Sequence, residues 1–309
     1  MKIIVRDNQL EIATPAKVNL FLELLGRRDD GFHELETVMS SVALYDHLRF
    51  SPRSDSKIEL SIDYGSQGNQ PRELDEIPTD SSNLICKSLE LVRSVASQKG
   101  QGENCSRGIN VHLQKNIPSA AGLGGASSNS AAALVAANRI WNLNWDTQQL
   151  ADIAGQLGSD IAFFLTGGTA ICRGRGELVS SLRGPAHVPI VIVKPADSLS
   201  TKTVFGNVKL GYEPMDSSKF IQRVQANSIR LMSGSLFNRL QEFAQPLTNQ
   251  IFALQREFEK LNCWGHQMSG SGSSYFGVFK TITTARLAAF SLSSRLPTAR
   301  IFCTHTTTT

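Results

Sequence analysis

Between Lys17 and Leu25 the chain reads KVNLFLELL, with Val18, Leu20, Leu22 and Leu24 alternating with Lys17, Asn19, Phe21 and Glu23. A period of two predicts a β-strand and places Lys17 and Asn19 on one face of it. The Asp30-Gly31 dipeptide that follows is a hairpin-turn signal. KIELSID at 57–63 alternates again and predicts another strand, and the polar stretch 64–82 reads as a loop. From Asn83 the spacing of Ile85, Leu89, Val92 and Ala96 predicts a helix. A second loop at 97–108 leads into a strand, INVHLQK. Ala133, Ala137, Ile140 and Trp141 recur at helical spacing, so the glycine-rich stretch before them feeds a helix N-terminus. Asp146 with Gln149 three residues on predicts a capped helix ending near Gly158.

The pattern changes near Pro185 to Pro189. There the chain turns to a strand (PIVIVKP), a polar connection, and two or three helices up to about Leu261. HQMSGSGSSYFGVFK predicts a glycine-rich turn running into a strand, and a helix and a last strand follow. The terminal HTTTT reads as a frayed tail. A boundary near residue 185 divides the chain into 1–185 and 186–309, with no internal repeat, and a length of 309 residues favours two domains.

Composition narrows the class. The chain is 41% hydrophobic and 19% charged, as a soluble globular protein is. Its net charge of +4 comes from scattered basic residues, which argues against nucleic-acid or membrane-surface binding and leaves an anionic small molecule open. No apolar stretch reaches the length of a membrane span. Arg6, Asp7 and Glu11 fall where a secretory signal needs an apolar run, which predicts a cytoplasmic protein. Cys86, Cys105, Cys172, Cys263 and Cys303 are odd in number and form no CxxC pair, which fits neither a disulfide framework nor a zinc site. Monomer and homodimer both stay open.

The richest chemistry lies in IPSAAGLGGASSNSAAA, residues 117–133. A Walker A loop needs a lysine where Ala126 stands, and a Rossmann fingerprint is interrupted by Pro118. A flexible connection is the plain alternative, but it would not run straight into an alanine-rich helix. Gly122, Gly124 and Gly125 let backbone N–H groups converge, Ser127 and Ser128 add hydroxyls, and the helix N-terminus adds partial positive charge. That combination suits a polyphosphate.

Pro118 to Ala132, PSAAGLGGASSNSAA, resembles the signature of the GHMP kinases, which include galactokinase, homoserine kinase and mevalonate kinase. PAKVNLFLELLGRRDDGFHELETV, LGSDIAFFLTGGTAICRGRGE and MSGSGSSYFGVF resemble further motifs of the family, in family order. Together they are similar to its branch acting on a cytidine diphosphate-linked polyol. The resemblance implies an α+β chain: an N-terminal domain like ribosomal protein S5 domain 2, then a ferredoxin-like C-terminal domain. It implies ATP with Mg²⁺ and transfer of the γ-phosphate to a substrate hydroxyl. Lys17 and Asp160 match the catalytic pair. Pro118, Ala120, Gly122, Leu123, Gly124, Gly125, Ala126, Ser127 and Ser128 match the ATP loop, with Asn83 and Lys115 near the nucleotide. Asn19, Phe32, His33, Thr201 and Phe205 match substrate positions, Phe32 and Phe205 as the two faces of a cytosine sandwich. Ser269, Gly270, Ser271 and Gly272 form the second glycine loop. The protein ligand of Mg²⁺ is unassigned, with the Ser127 and Ser128 hydroxyls as candidates.

Each residue also has a plainer reading. Asp160 alone would cap a short helix beginning at Ile161. Lys17 would be a solvated strand residue, and the phenylalanines would be core. Lys202 departs from a proline found in several relatives, beside Phe205. Two other functions compete: a GHMP kinase for homoserine or mevalonate, and an inactive ligand-sensing relative. The aromatic–histidine pair after Asp30-Gly31 disfavours the first, and the retention of both Lys17 and Asp160 disfavours the second.

Overall fold

The computed structural model describes residues 1–6, 9–64 and 77–308. An edge strand β1 (Lys2–Arg6) precedes a hairpin of two long strands, β2 (Gln9–Arg27) and β3 (His33–Pro52). The turn between them is the predicted one: Gly31 has φ +85° and the Arg28 N–H donates to Phe32 O at 2.8 Å. Next come β4 (Ile58–Tyr64), α1 (Leu84–Gln98), β5 (Ile109–Lys115) and α2 (Gly125–Ile140). Residues 65–76 of the stretch read as a loop lie outside the described residues. Then follow α3 (Thr147–Leu157), α4 (Ile161–Thr166), β6 (Thr169–Arg173) and β7 (Leu178–Ser181). The caps are those the residues dictate: Asn83 Oδ1 accepts from Ile85 N, and Asp146 and Gln149 form a capping box.

These strands form a sheet in the order β1-β2-β3-β5-β4, with β6 and β7 extending it beyond β3. Helices α1, α2 and α4 pack against it in one core cluster, and α3 lies on the helices. Ala131, Ala132, Ala133, Ala136 and Ala137 of α2 are fully buried, because side chains this small let a helix lie directly on the sheet beside α1. A contact between Ser88 Oγ and Ser130 Oγ, 2.6 Å long, joins the two helices.

The second half begins with β8 (Pro189–Lys194) and α5 (Thr201–Gly206). Four more helices follow where two or three were expected in all: α6 (Ser218–Gln225), α7 (Ile229–Ser233), then after the two-residue strand β9 (Phe237–Asn238), α8 (Arg239–Ala244) and α9 (Asn249–Glu259). Several are too short for their periodicity to show in sequence. The chain closes with β10 (Gly265–Met268), β11 (Tyr275–Val278), α10 (Ile282–Arg295) and β12 (Arg300–His305), and a sheet ordered β10-β11-β8-β12.

The two halves interlock. Strand β9 pairs in parallel with β2, placing a piece of the second half in the first sheet. Val18, Leu20 and Phe21 of β2 share a core with Val188, Ile190, Ile192 and Phe276. Both faces of β2 are therefore covered, and the predicted alternation of exposure is absent: Lys17, Asn19 and Glu23 are as buried as the leucines between them. Thr306 and Thr307 of the terminal HTTTT are also not frayed. Thr306 is buried, its Oγ1 accepts from Val188 N and donates to Pro185 O, and Thr307 N donates to Ser41 O. A run of threonines looks solvated in sequence, but a paired hydroxyl is readily buried.

Candidate active site

A cavity of about 1040 Å³ opens between the first sheet, the glycine loop and the start of α5. Lys17 enters it from β2 and Asp160 from the residue before α4. The Lys17 ammonium lies 3.3 Å from Asp160 Oδ2 and donates to Asn19 Oδ1 at 2.6 Å. Asn19 Nδ2 donates in turn to Thr37 Oγ1, and Thr37 donates to Phe21 O. This chain of bonds fixes the lysine from behind. Asp160 does not cap α4: it sits at the N-cap position, yet its side chain makes no capping hydrogen bond. Its carboxylate is one-third exposed, toward the cavity, whereas Lys17 is almost wholly enclosed. The thiol of Cys172 lies close beneath; burial first, then the Asp160 charge, push its pKa far above the ordinary thiol range, and Lys17 opposes them.

The glycine loop is braced rather than flexible. Lys17 N donates to Leu123 O at 3.0 Å, Ser269 Oγ to Gly122 O at 3.0 Å, and Ser274 N to Ala121 O at 3.2 Å. Gly122 has φ +72°, and a Cβ there would stand 2.1 Å from Ser269 O, so close approach of the two glycine-rich segments demands glycine. Gly124, at φ +70°, is the residue just before α2, and a Cβ there would meet Phe164 at 2.8 Å and the Lys17 stem at 3.0 Å.

Most of the sequence-selected residues line this one cavity: Pro118, Ala120, Gly122, Gly124, Gly125, Ala126 and Ser127 of the loop, and Gly270 and Ser271 of the second loop. Asn83, Lys115, Asn19, Phe32, His33, Thr201, Lys202 and Phe205 line it as well. Leu123, Ser128, Ser269 and Gly272 do not. Leu123 is core, and Ser128 is fully buried with its hydroxyl donating to Pro15 O at 2.7 Å. Ser269 braces Gly122 instead, and Gly272 N donates to Ser269 O. Thr201 Oγ1 and Ser271 Oγ are 2.9 Å apart, joining α5 to the second loop.

At the far end lie the rings expected to hold a base. Phe205 neighbours His33, with centroids 5.5 Å apart, while half-exposed Phe32 lies under the Arg175 guanidinium at 4.9 Å. Burial, then Arg27, lowers the pKa of His33 below the ordinary histidine value, so the imidazole is neutral at pH 7.

Two residues were missed in the sequence. Asp46 of β3 is fully buried behind the glycine loop. Its Oδ1 accepts from Asn116 N and Ile117 N at 2.7 and 2.8 Å, and its Oδ2 from Lys115 Nζ at 2.7 Å and Asn129 Nδ2 at 3.0 Å. The available signal was a lone carboxylate in SVALYDHLRF, a strand whose other residues are apolar, aromatic, basic or a serine. Arg175 was hidden inside a motif valued for its aspartate. Among the described residues no cluster of three metal-ligating side chains occurs, and no helix is long and apolar enough to cross a membrane.

Comparison with known proteins agrees with this geometry. Residues 83–168 match the model of the GHMP kinases N terminal domain. A protein of Alkaliphilus metalliredigens named 4-diphosphocytidyl-2-C-methyl-D-erythritol kinase is 35% identical, over 92% of this chain and 93% of its own. One of the same name from Prochlorococcus marinus is 34% identical over 90% and 88%. A crystal structure of 4-(cytidine 5'-diphospho)-2C-methyl-D-erythritol kinase superposes with TM-score 0.76 at 29% identity, covering 97% of this chain and all of the other. Homoserine kinase from Cytophaga hutchinsonii shares the fold alone, with TM-score 0.73 at 17% identity over 100% of this chain and 97% of its own. With its four motifs gathered around one cavity and its length matched almost end to end, this chain belongs to the 4-diphosphocytidyl-2-C-methyl-D-erythritol kinase family of the GHMP kinases.

Proposed function

We propose that this ATP-dependent small-molecule kinase phosphorylates the 2-hydroxyl of 4-diphosphocytidyl-2-C-methyl-D-erythritol, a step of the non-mevalonate route to isoprenoids. The observation that carries the reading is the Lys17–Asp160 pair in one cavity with the glycine loop and, at its other end, Phe32, His33 and Phe205. With the loop's carbonyls at 121–123 held by protein donors, its amides and the start of α2 are what it offers to phosphates. Asp160 orients the substrate hydroxyl and takes its proton. The hydroxyl oxygen bonds to the γ-phosphorus as the bond to the bridging oxygen breaks, and ADP leaves. Lys17, 3.3 Å from Asp160 Oδ2, holds that carboxylate in place and offsets charge on the transferring group.

Mg²⁺ bound with ATP supplies further charge neutralisation on the phosphates. The donor set fits it: hard oxygens face the cavity at Ser127 and Asp160, and the phosphates would fill most of its coordination. Ser128, with its hydroxyl committed to Pro15 O, is unsuited. We assign the ATP-binding unit to residues 1–185 and the ferredoxin-like unit to 186–309, and place the enzyme in the cytoplasm. The test is phosphate transfer from ATP to the cytidyl substrate, to homoserine and to mevalonate, side by side. Turnover of the cytidyl substrate alone is expected; preference for either other acceptor refutes the reading.

A further inference from the structure

We infer that Arg175 is a specificity-determining residue that holds the diphosphate of the cytidyl substrate; the inference rests on the function proposed above. A substrate of this kind is linear, with base, ribose, diphosphate and polyol in that order. If its polyol hydroxyl meets Asp160 and its base lies among Phe32, His33 and Phe205, the diphosphate must cross the cavity between them.

The segment Gly174–Gly176 spans this interval. A Cβ at Gly176 would lie 3.7 Å from Asp160 Oδ1, so this backbone abuts the catalytic carboxylate. One residue earlier, the Arg175 guanidinium reaches the Phe32 ring. Three cationic side chains line the cavity at this end, Arg27, Lys202 and Arg175. Arg27 and Lys202 are exposed on the rim. Arg175 is only 27% exposed and is anchored: its Nη2 donates to Gly155 O at 3.0 Å and its Nε lies 3.8 Å from Glu177 Oε1. Its Nη1 has no partner among the described residues. A guanidinium with one edge fixed and one donor free, resting on an aromatic face, is preorganised for phosphate oxygens.

The base and the diphosphate can be tested separately with CDP and cytidine as inhibitors competitive with the cytidyl substrate. Arg175→Met is expected to raise the inhibition constant of CDP about tenfold or more, the loss of one charge-assisted contact. It should leave that of cytidine within about twofold, and the KM for ATP unchanged. Phe32→Ala should weaken both inhibitors equally. Arg175→Lys, which keeps the charge and loses the fork, should fall between wild type and Arg175→Met; it also serves if Arg175→Met does not fold. Equal weakening of CDP and cytidine by Arg175→Met would mean that Arg175 only supports the Phe32 ring, and unchanged CDP inhibition would remove it from the substrate altogether. Either result overturns the assignment while leaving wild-type turnover intact. Wild-type protein that phosphorylates no cytidyl substrate refutes the functional reading instead.

Discussion

Replacing Asp46 by asparagine should damage both the fold and the nucleotide end of the cavity. The carboxylate is fully buried and accepts four hydrogen bonds, two on each oxygen, one of them from the Lys115 ammonium. An amide in its place must turn its NH₂ toward two donors whichever way it is oriented. On one side stand the N–H groups of Asn116 and Ile117; on the other are Lys115 Nζ and Asn129 Nδ2. In either orientation Lys115, with 5% of its side chain exposed, loses its counter-charge. Removing one partner of a buried pair costs about 3–5 kcal/mol. For a chain of this size that corresponds to a fall in Tm of roughly 5–8 °C. Asn116 and Ile117 lead directly from β5 into the glycine loop, so affinity for a non-hydrolysable ATP analogue should fall as well. Differential scanning calorimetry and isothermal titration measure the two effects. Lys115→Met should show similar losses, and the double variant should lose less than their sum by about 0.5–3 kcal/mol. An Asp46→Asn protein melting within about 2 °C of wild type and binding the analogue normally would refute this account of how the loop is held.

Asp160→Asn is expected to lower kcat by about 10²–10⁴-fold with little change in ATP affinity; near-normal turnover would reduce Asp160 to a residue at a helix start. Phe32→Ala should raise KM for the cytidyl substrate roughly 5- to 150-fold, the equivalent of one lost base stack, with kcat and the KM for ATP barely moved. A rise in the KM for ATP instead would put the base at the wrong end of the cavity. Because His33 is held below the ordinary histidine pKa by burial and Arg27, it is neutral above about pH 7 and gains a proton only at lower pH. Protonation removes its acceptor nitrogen and adds charge beside Arg27, so KM for the cytidyl substrate should be flat from pH 7 to 8 and rise below about pH 6. A His33→Gln variant that keeps the same acid limb would assign that limb to another group.

What the sequence determined by itself was local. Alternation in KVNLFLELL, the Asp30-Gly31 turn, the Asp146–Gln149 box and the alanine periodicity after Gly125 each depend on residues within a turn or two of one another, and each element formed where the pattern placed it. The family motifs gave the positions of Lys17, Asp160 and the two glycine loops, and the cavity residues among them are drawn from all four motifs. Contacts between distant segments were decided only by the tertiary structure. Lys17 and Asp160 are separated by most of the first sheet in sequence and become an ion pair because β2 and the start of α4 face each other across the glycine loop. The burial of Glu23, Thr306 and Ser128 depends on partners supplied from Arg239, Val188 and Pro15, which no periodicity announces. Asp46 and Arg175 were illegible for the same reason. A carboxylate in a strand and an arginine in a loop look solvated in sequence, and only the fold shows that one is enclosed by four donors and the other is pinned over an aromatic ring.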